Sequence, residues 1–90
     1  MTYGPMFVDD IDIGWVTASD GIYRTSGGAL TKVCTNTNNW TLSGVATMNV
    51  MGTPTLFVST SGNSGNLFSY LIADLATTPD VSDFRSEEHT

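Results

Sequence analysis

Residues 1–84 contain no histidine and no glutamate; both first appear in the last six positions. General acid–base catalysis and Cys–His or Ser–His nucleophile pairs therefore have almost no candidate base in that span. Basic residues are nearly as scarce. Arg24, Lys32 and Arg85 are the three, against nine acidic residues, giving a formal net charge of −6. Such a chain carries no basic footprint, so a nucleic-acid partner is not expected. Cys34 is the only cysteine, which excludes an internal disulfide and a cysteine-pair metal site. It reads as a small buried hydrophobe at a strand end; the other readings are a reactive thiol or a disulfide to chain outside this window. No apolar run approaches the roughly 18 residues of a membrane span. Met1-Thr2-Tyr3-Gly4-Pro5 has no basic segment leading into an apolar one, so no signal peptide is visible. Charged residues make up 13%, about half the usual share of ~25%. Disorder does not follow, because nine aromatics and many β-branched residues call for burial. The length suits one small domain at most.

What the chain does have is strand signal. Ile13–Ala18 is β-branched and aromatic, Ser19-Asp20-Gly21 reads as a type I′ hairpin turn, and Ile22–Thr25 is the return strand. Ser26-Gly27-Gly28 makes a second tight turn into a strand over Ala29–Thr35, with Leu30, Lys32 and Cys34 on one face. Asn36–Asn39 is a polar loop. Further strands are expected over Gly44–Met51, Thr55–Thr60 and Leu67–Ile72, with turns at Gly52-Thr53-Pro54 and Ser61–Asn66. Leu71–Ala76 is read as strand running into loop. No stretch sustains a 3.6-residue period, so the expected class is all-β, an antiparallel meander.

Trp15-Val16-Thr17-Ala18-Ser19 matches Phe57-Val58-Ser59-Thr60-Ser61 at an offset of 42 residues, and Ile22-Tyr23-Arg24 matches Leu67-Phe68-Ser69 at 45. A period of roughly 40–45 residues with about four strands per unit is the β-propeller pattern. Asp20–Gly28 resembles the D-G-[IL]-Y-R-x-x-G-G hairpin of propeller repeats in secreted and surface proteins, and Gly52–Thr60 resembles their G-T-x-T-L-Y-V-x-T strand. The resemblance spans about residues 13–72. It implies partial propeller blades, about two with the second incomplete, at the cell surface or outside the cell. Neighbouring blades of a longer chain would then be partners, with Trp15, Tyr23, Phe57 and Phe68 packing between blades. The Trp-Asp pair of WD repeats, the Asp-box of sialidase-like propellers and the kelch pattern are all absent. One pair of blades leaves large apolar faces wet, so marginal stability is expected of this chain alone.

Arg85-Ser86-Glu87-Glu88-His89-Thr90 is the translation of AGATCGGAAGAGCACACG, the start of a widely used sequencing-library adapter. Residues 85–90 are accordingly read as a non-native tail, residues 1–84 as the propeller fragment, and Met1 need not be the true start. Without the tail there remain two basic and seven acidic residues, all Asp, for a net charge of −5. His89 is assigned no function.

Three features carry possible chemistry. Asp9, Asp10 and Asp12 could bind Ca²⁺ through oxygen ligands, though EF-hand spacing is missing and a solvated acidic turn is the plainer reading. Asn39-Trp40-Thr41 is an N-glycosylation sequon on an expected loop. Trp40 and Tyr3 could stack on sugars or pack into the core. The Gly27-Gly28 and Gly62–Gly65 segments precede no helix and no Lys-Ser/Thr, so they read as turns rather than phosphate loops. No catalytic residue, cofactor or firm metal site is expected. The leading function is a non-enzymatic binding or scaffold module for an unknown protein or carbohydrate. The alternative is part of a propeller glycosidase whose active site lies mostly in missing blades.

Overall fold

In a computed structural model, residues 3–61 and 66–87 are described. They form two four-stranded antiparallel meanders in succession. The first sheet contains β1 (Phe7–Val8), β2 (Gly14–Ala18), β3 (Gly21–Ser26) and β4 (Ala29–Thr35), in that spatial order. The second contains β5 (Leu42–Val50), β6 (Thr53–Thr60), β7 (Leu67–Leu71) and β8 (Arg85–Ser86), again in chain order. The expected all-β antiparallel meander is therefore present. Ala29–Thr35 forms a strand with the bounds read from sequence. Gly62–Gly65, in the turn expected at Ser61–Asn66, lie outside the described residues.

Turn chemistry explains most of the connections and corrects three readings. Ser19-Asp20-Gly21 does turn the chain, but not as type I′. Ser19 and Asp20 fill the loop between paired Ala18 and Gly21, and neither has positive φ. The glycine is needed instead for a close approach, since a Cβ on Gly21 would overlap the Cys34 carbonyl. Positive φ at both central residues occurs at Gly27-Gly28 (+59° and +85°) and at Met51-Gly52 (+52° and +84°), the type I′ signature. The second of these displaces the turn expected at Gly52-Thr53-Pro54. Pro54 lies inside β6 opposite Asn49, where β7 does not yet reach, so its missing N–H leaves that neighbour's ladder intact. Finally, Ile72–Thr77 is a 3₁₀ helix rather than loop. It is too short to show a period, and it has no side-chain N-cap to announce it. A shorter 3₁₀ helix, Val81–Asp83, follows. There Asp80 accepts from the Ser82 amide while Asp83 accepts from the Asp80 amide, a capping box.

Alternation along the strands sorts each sheet into two faces. The inner face of the first sheet carries Phe7, Trp15, Ile22 and Cys34. It packs on Val45, Leu56, Val58 and Phe68 of the second, and these residues join one core. Leu75, Val81 and Phe84 close that core from the C-terminal segment. Strict alternation fails in β4, where Val33 and Cys34 are both buried. Ile22 faces Cys34 and Tyr23 faces Lys32, so Val33 is an extra residue in a β-bulge. Of the four aromatics expected between sheets, Trp15 and Phe68 belong to the core. Tyr23 and Phe57 lie on the outer faces, paired across their strands with Val16 and Ser69.

The matched segments hold equivalent places. Val16↔Tyr23 and Thr17↔Ile22 in the first sheet correspond to Val58↔Phe68 and Ser59↔Leu67 in the second. Both offsets seen in the sequence, 42 and 45 residues, are thus reproduced in the pairing register.

Candidate functional site

A cleft of about 560 Å³ opens between the sheets beside the β1–β2 loop. Phe7, Ile13, Trp15 and Ile72 make its apolar lining, and Asp10, Arg24 and Asn49 supply polar groups. The loop owes its shape to Asp9. Its Oδ1 accepts hydrogen bonds from the Ile11 and Ile13 amides at 3.0 and 2.9 Å, and its Oδ2 accepts one from Trp15 Nε1 at 3.0 Å. Burial would push this carboxyl up, but the three hydrogen bonds outweigh burial and hold it below the usual carboxylate value. Asp12, at φ +65°, completes the turn by donating its amide to the Asp9 carbonyl at 3.2 Å.

Asp9 therefore serves as a structural acceptor that fixes Trp15. Asp10 and Asp12 are exposed beside it. Among the described residues no three His, Cys, Asp or Glu side chains come together as a group that could hold a metal ion. On the neighbouring strand Arg24 is paired directly with Trp15, and its guanidinium lies over the Trp15 ring, 5.6 Å from its centroid, a cation–π arrangement. Trp15 itself is only 1% exposed, so Arg24 and Asp10, not the indole, are what a ligand would meet.

The other residues singled out in the sequence are dispersed. Asn39 is exposed at φ +56° on the loop after β4, more than a strand's length in sequence from the acidic loop. Trp40 is half-buried and stacks on Phe68 with centroids 5.1 Å apart. Tyr3 meets Tyr23 edge-on at 5.8 Å on the outer face of the first sheet. Cys34 is a free, buried thiol, and burial pushes its pKa up to about 12, so it carries no thiolate character near neutrality.

Two polar centres escaped the sequence reading. Asp80 Oδ1 accepts from Thr35 Oγ1, the Thr37 amide and Thr37 Oγ1 at 2.7–2.9 Å. Its Oδ2 accepts from the Ser82 amide and hydroxyl. Burial opposes ionisation there, and these donors reverse it, holding the carboxyl far below its ordinary value. Asp80-Val81-Ser82-Asp83 was a readable capping signal, but its reach to Thr35 was not. Asn36 is the second: its side chain donates to the Ser19 and Trp40 carbonyls and accepts from the Trp40 amide, tying the loop after β4 to the β2–β3 turn. On the first sheet's outer face Asp20 accepts from Lys32 and from the Tyr23 hydroxyl, each at 2.8 Å. The Lys32 contact, then the Tyr23 one, draws the Asp20 carboxyl below its ordinary value.

No family model, curated protein or solved structure matches the chain. No helix among the described residues is long and apolar enough to cross a membrane.

Proposed function

We propose that this chain is a pair of successive β-propeller-type blades acting as a non-enzymatic binding or scaffold module of a secreted or surface protein. The observation that carries the reading is the coincidence of pairing registers: two four-stranded meanders in tandem, with the matched residues at equivalent cross-strand positions. On this reading the repeat is carried by β2–β3 and β6–β7, where the registers coincide; the fourth strand of the second sheet, Arg85–Ser86, falls in the tail whose composition departs from the rest. The β1–β2 loop end of the cleft is the recognition site. Its apolar floor and its single cation and exposed carboxylate, Arg24 and Asp10, suit a small neutral polyhydroxylated ligand better than a highly charged one.

The test is a carbohydrate array probed with the 90-residue chain and with Arg24→Ala. Saturable retention on some glycans, weakened tenfold or more in the variant while its circular dichroism is unchanged, is the expected result. Release of free reducing sugar by the chain would favour a hydrolase and overturn the non-enzymatic reading. Retention that is absent or indifferent to Arg24 overturns the cleft assignment.

A further inference from the structure

Among the described residues, nearly all of the exposed large hydrophobics lie on two surfaces. Tyr3, Met6, Val8 and Leu30 fall on the outer face of the first sheet, at 44–54% exposure. Met48, Val50, Leu67 and Leu71 fall on the outer face of the second, at 41–59%. Only Ile11, in the acidic loop, and Met51, at a turn tip, stand apart. Two opposed apolar faces on so small a molecule call for an explanation.

The interface already inside the molecule supplies one. Trp15, on the inner face of the first sheet, is equivalent by register to Phe57, on the outer face of the second. Val16, on the outer face of the first, is equivalent to Val58, on the inner face of the second. The first sheet thus packs its Trp15-type face on the Val58-type face of the next. This contact is head to tail, not two-fold. On the second sheet's own Trp15-type face Met48, Val50, Leu67 and Leu71 remain exposed, and on the first sheet's Val58-type face Tyr3, Met6, Val8 and Leu30 do, while Val16 and Ala18 are already buried. The two free surfaces are the two halves of an interface the chain already makes once. The recess on the second sheet, about 700 Å³, carries Asp74, Asp83 and the Arg85–Glu87 pair, and Lys32 on the first sheet's outer face is paired with Asp20, so the match of the two surfaces rests on their apolar residues and register rather than on charge.

We propose that the chain docks head to tail on further copies of itself, the outer face of its second sheet receiving the outer face of another copy's first sheet. The inference rests on the tandem-repeat reading above. A heterologous contact of this kind gives a closed ring if the rotation per copy divides a full turn, and an open series if it does not.

Light scattering on the eluting 90-residue chain, with a thermal melt followed by circular dichroism, tests this. Val50→Lys/Leu71→Lys places charge on one free face, and Met6→Lys/Val8→Lys on the other; all four residues are exposed, so folding should survive. The wild type is expected at multiples of 9.6 kDa, and each double variant alone at 9.6 kDa. An equimolar mixture of the two variants retains one intact pair of faces and should give a 1:1 heterodimer. A folded wild-type monomer at all concentrations overturns the docking and leaves the repeat standing. Dimers that persist in either variant alone indicate a two-fold contact and overturn it as well. A wild type with no cooperative β melt overturns the docking, since a chain whose free faces close on further copies should melt cooperatively, and leaves the repeat, which by itself implies marginal stability, standing.

Discussion

At Gly21 the backbone carries φ of +152° and a Cβ would overlap the Cys34 carbonyl, whereas Gly27 at +59° has open space around it. Alanine at Gly21 must move a strand; alanine at Gly27 only adopts a left-handed backbone. Gly21→Ala should cost about 3 kcal/mol and Gly27→Ala about 1 kcal/mol, compared by urea midpoints. Equal costs would show that the close approach does not constrain the hairpin. Thr17 is 1% exposed, and its hydroxyl finds no partner among the described residues. Thr17→Val removes an unpaired buried polar atom at constant shape, so it should raise stability by about 1 kcal/mol; the same midpoint assay reads it. At this scale the sequence was partly legible. Asp9, Asp10 and Asp12 were visible as an acidic cluster. That Asp9 spends both oxygens on Ile11, Ile13 and Trp15 was not, because only the folded turn brings the indole N–H to it.

The bounds of β4 and its turn at Gly27-Gly28 were legible, but its faces were not: the bulge at Val33 sends Cys34 to the inner face with Ile22, away from Leu30 and Lys32, which the alternation had placed with it. The other readings that failed share one cause: each element was too short or too dependent on a distant partner. β1 is two residues long and exists only because β2 lies beside it. Ile72–Thr77 is a 3₁₀ helix whose only buried residue is Leu75, so no periodic signal could mark it. β8 likewise has only two residues, pairing Phe68↔Ser86 and Ser69↔Arg85, with Ser69 Oγ donating to Glu87 Oε2 at 2.8 Å. A chain ending at Phe84 loses those edge contacts but keeps the buried Phe84 ring against Tyr70. It should retain a cooperative β melt at a cost of about 1–2 kcal/mol. Collapse of the melt would mean that residues 85–90 are integral to the fold and count against a foreign tail.

For the molecule as a whole, acid is the informative variable. Asp9, Asp20 and Asp80 all titrate below the ordinary 3.8 in the folded chain. Below that value the unfolded chain binds protons that the native one resists, so stability is full above about pH 5 and declines as pH falls through 4 and below. Thermal midpoints of dilute protein from pH 7 to 3 should show a plateau and then a fall, and a midpoint rising towards pH 3 would contradict the assignment. The two-sheet arrangement was anticipated from the 42-residue offset. The direction of packing was not, because it depends on which face each strand turns inward, and a one-residue shift of register would reverse it.

The contacts of Asp80 with Thr35 and Thr37 span 45 and 43 residues, while the hairpins within each sheet are local. Local pairings form quickly, and loop closure over such a span costs entropy before it is repaid. The clasp between the C-terminal segment and β4 should therefore close after the barrier to folding has been crossed. Asp80→Ala is expected to leave the refolding rate nearly unchanged and to speed unfolding by about tenfold or more, as measured on the two limbs of a stopped-flow chevron. The lifetime of the native state, rather than the ease of reaching it, is then set by one carboxylate.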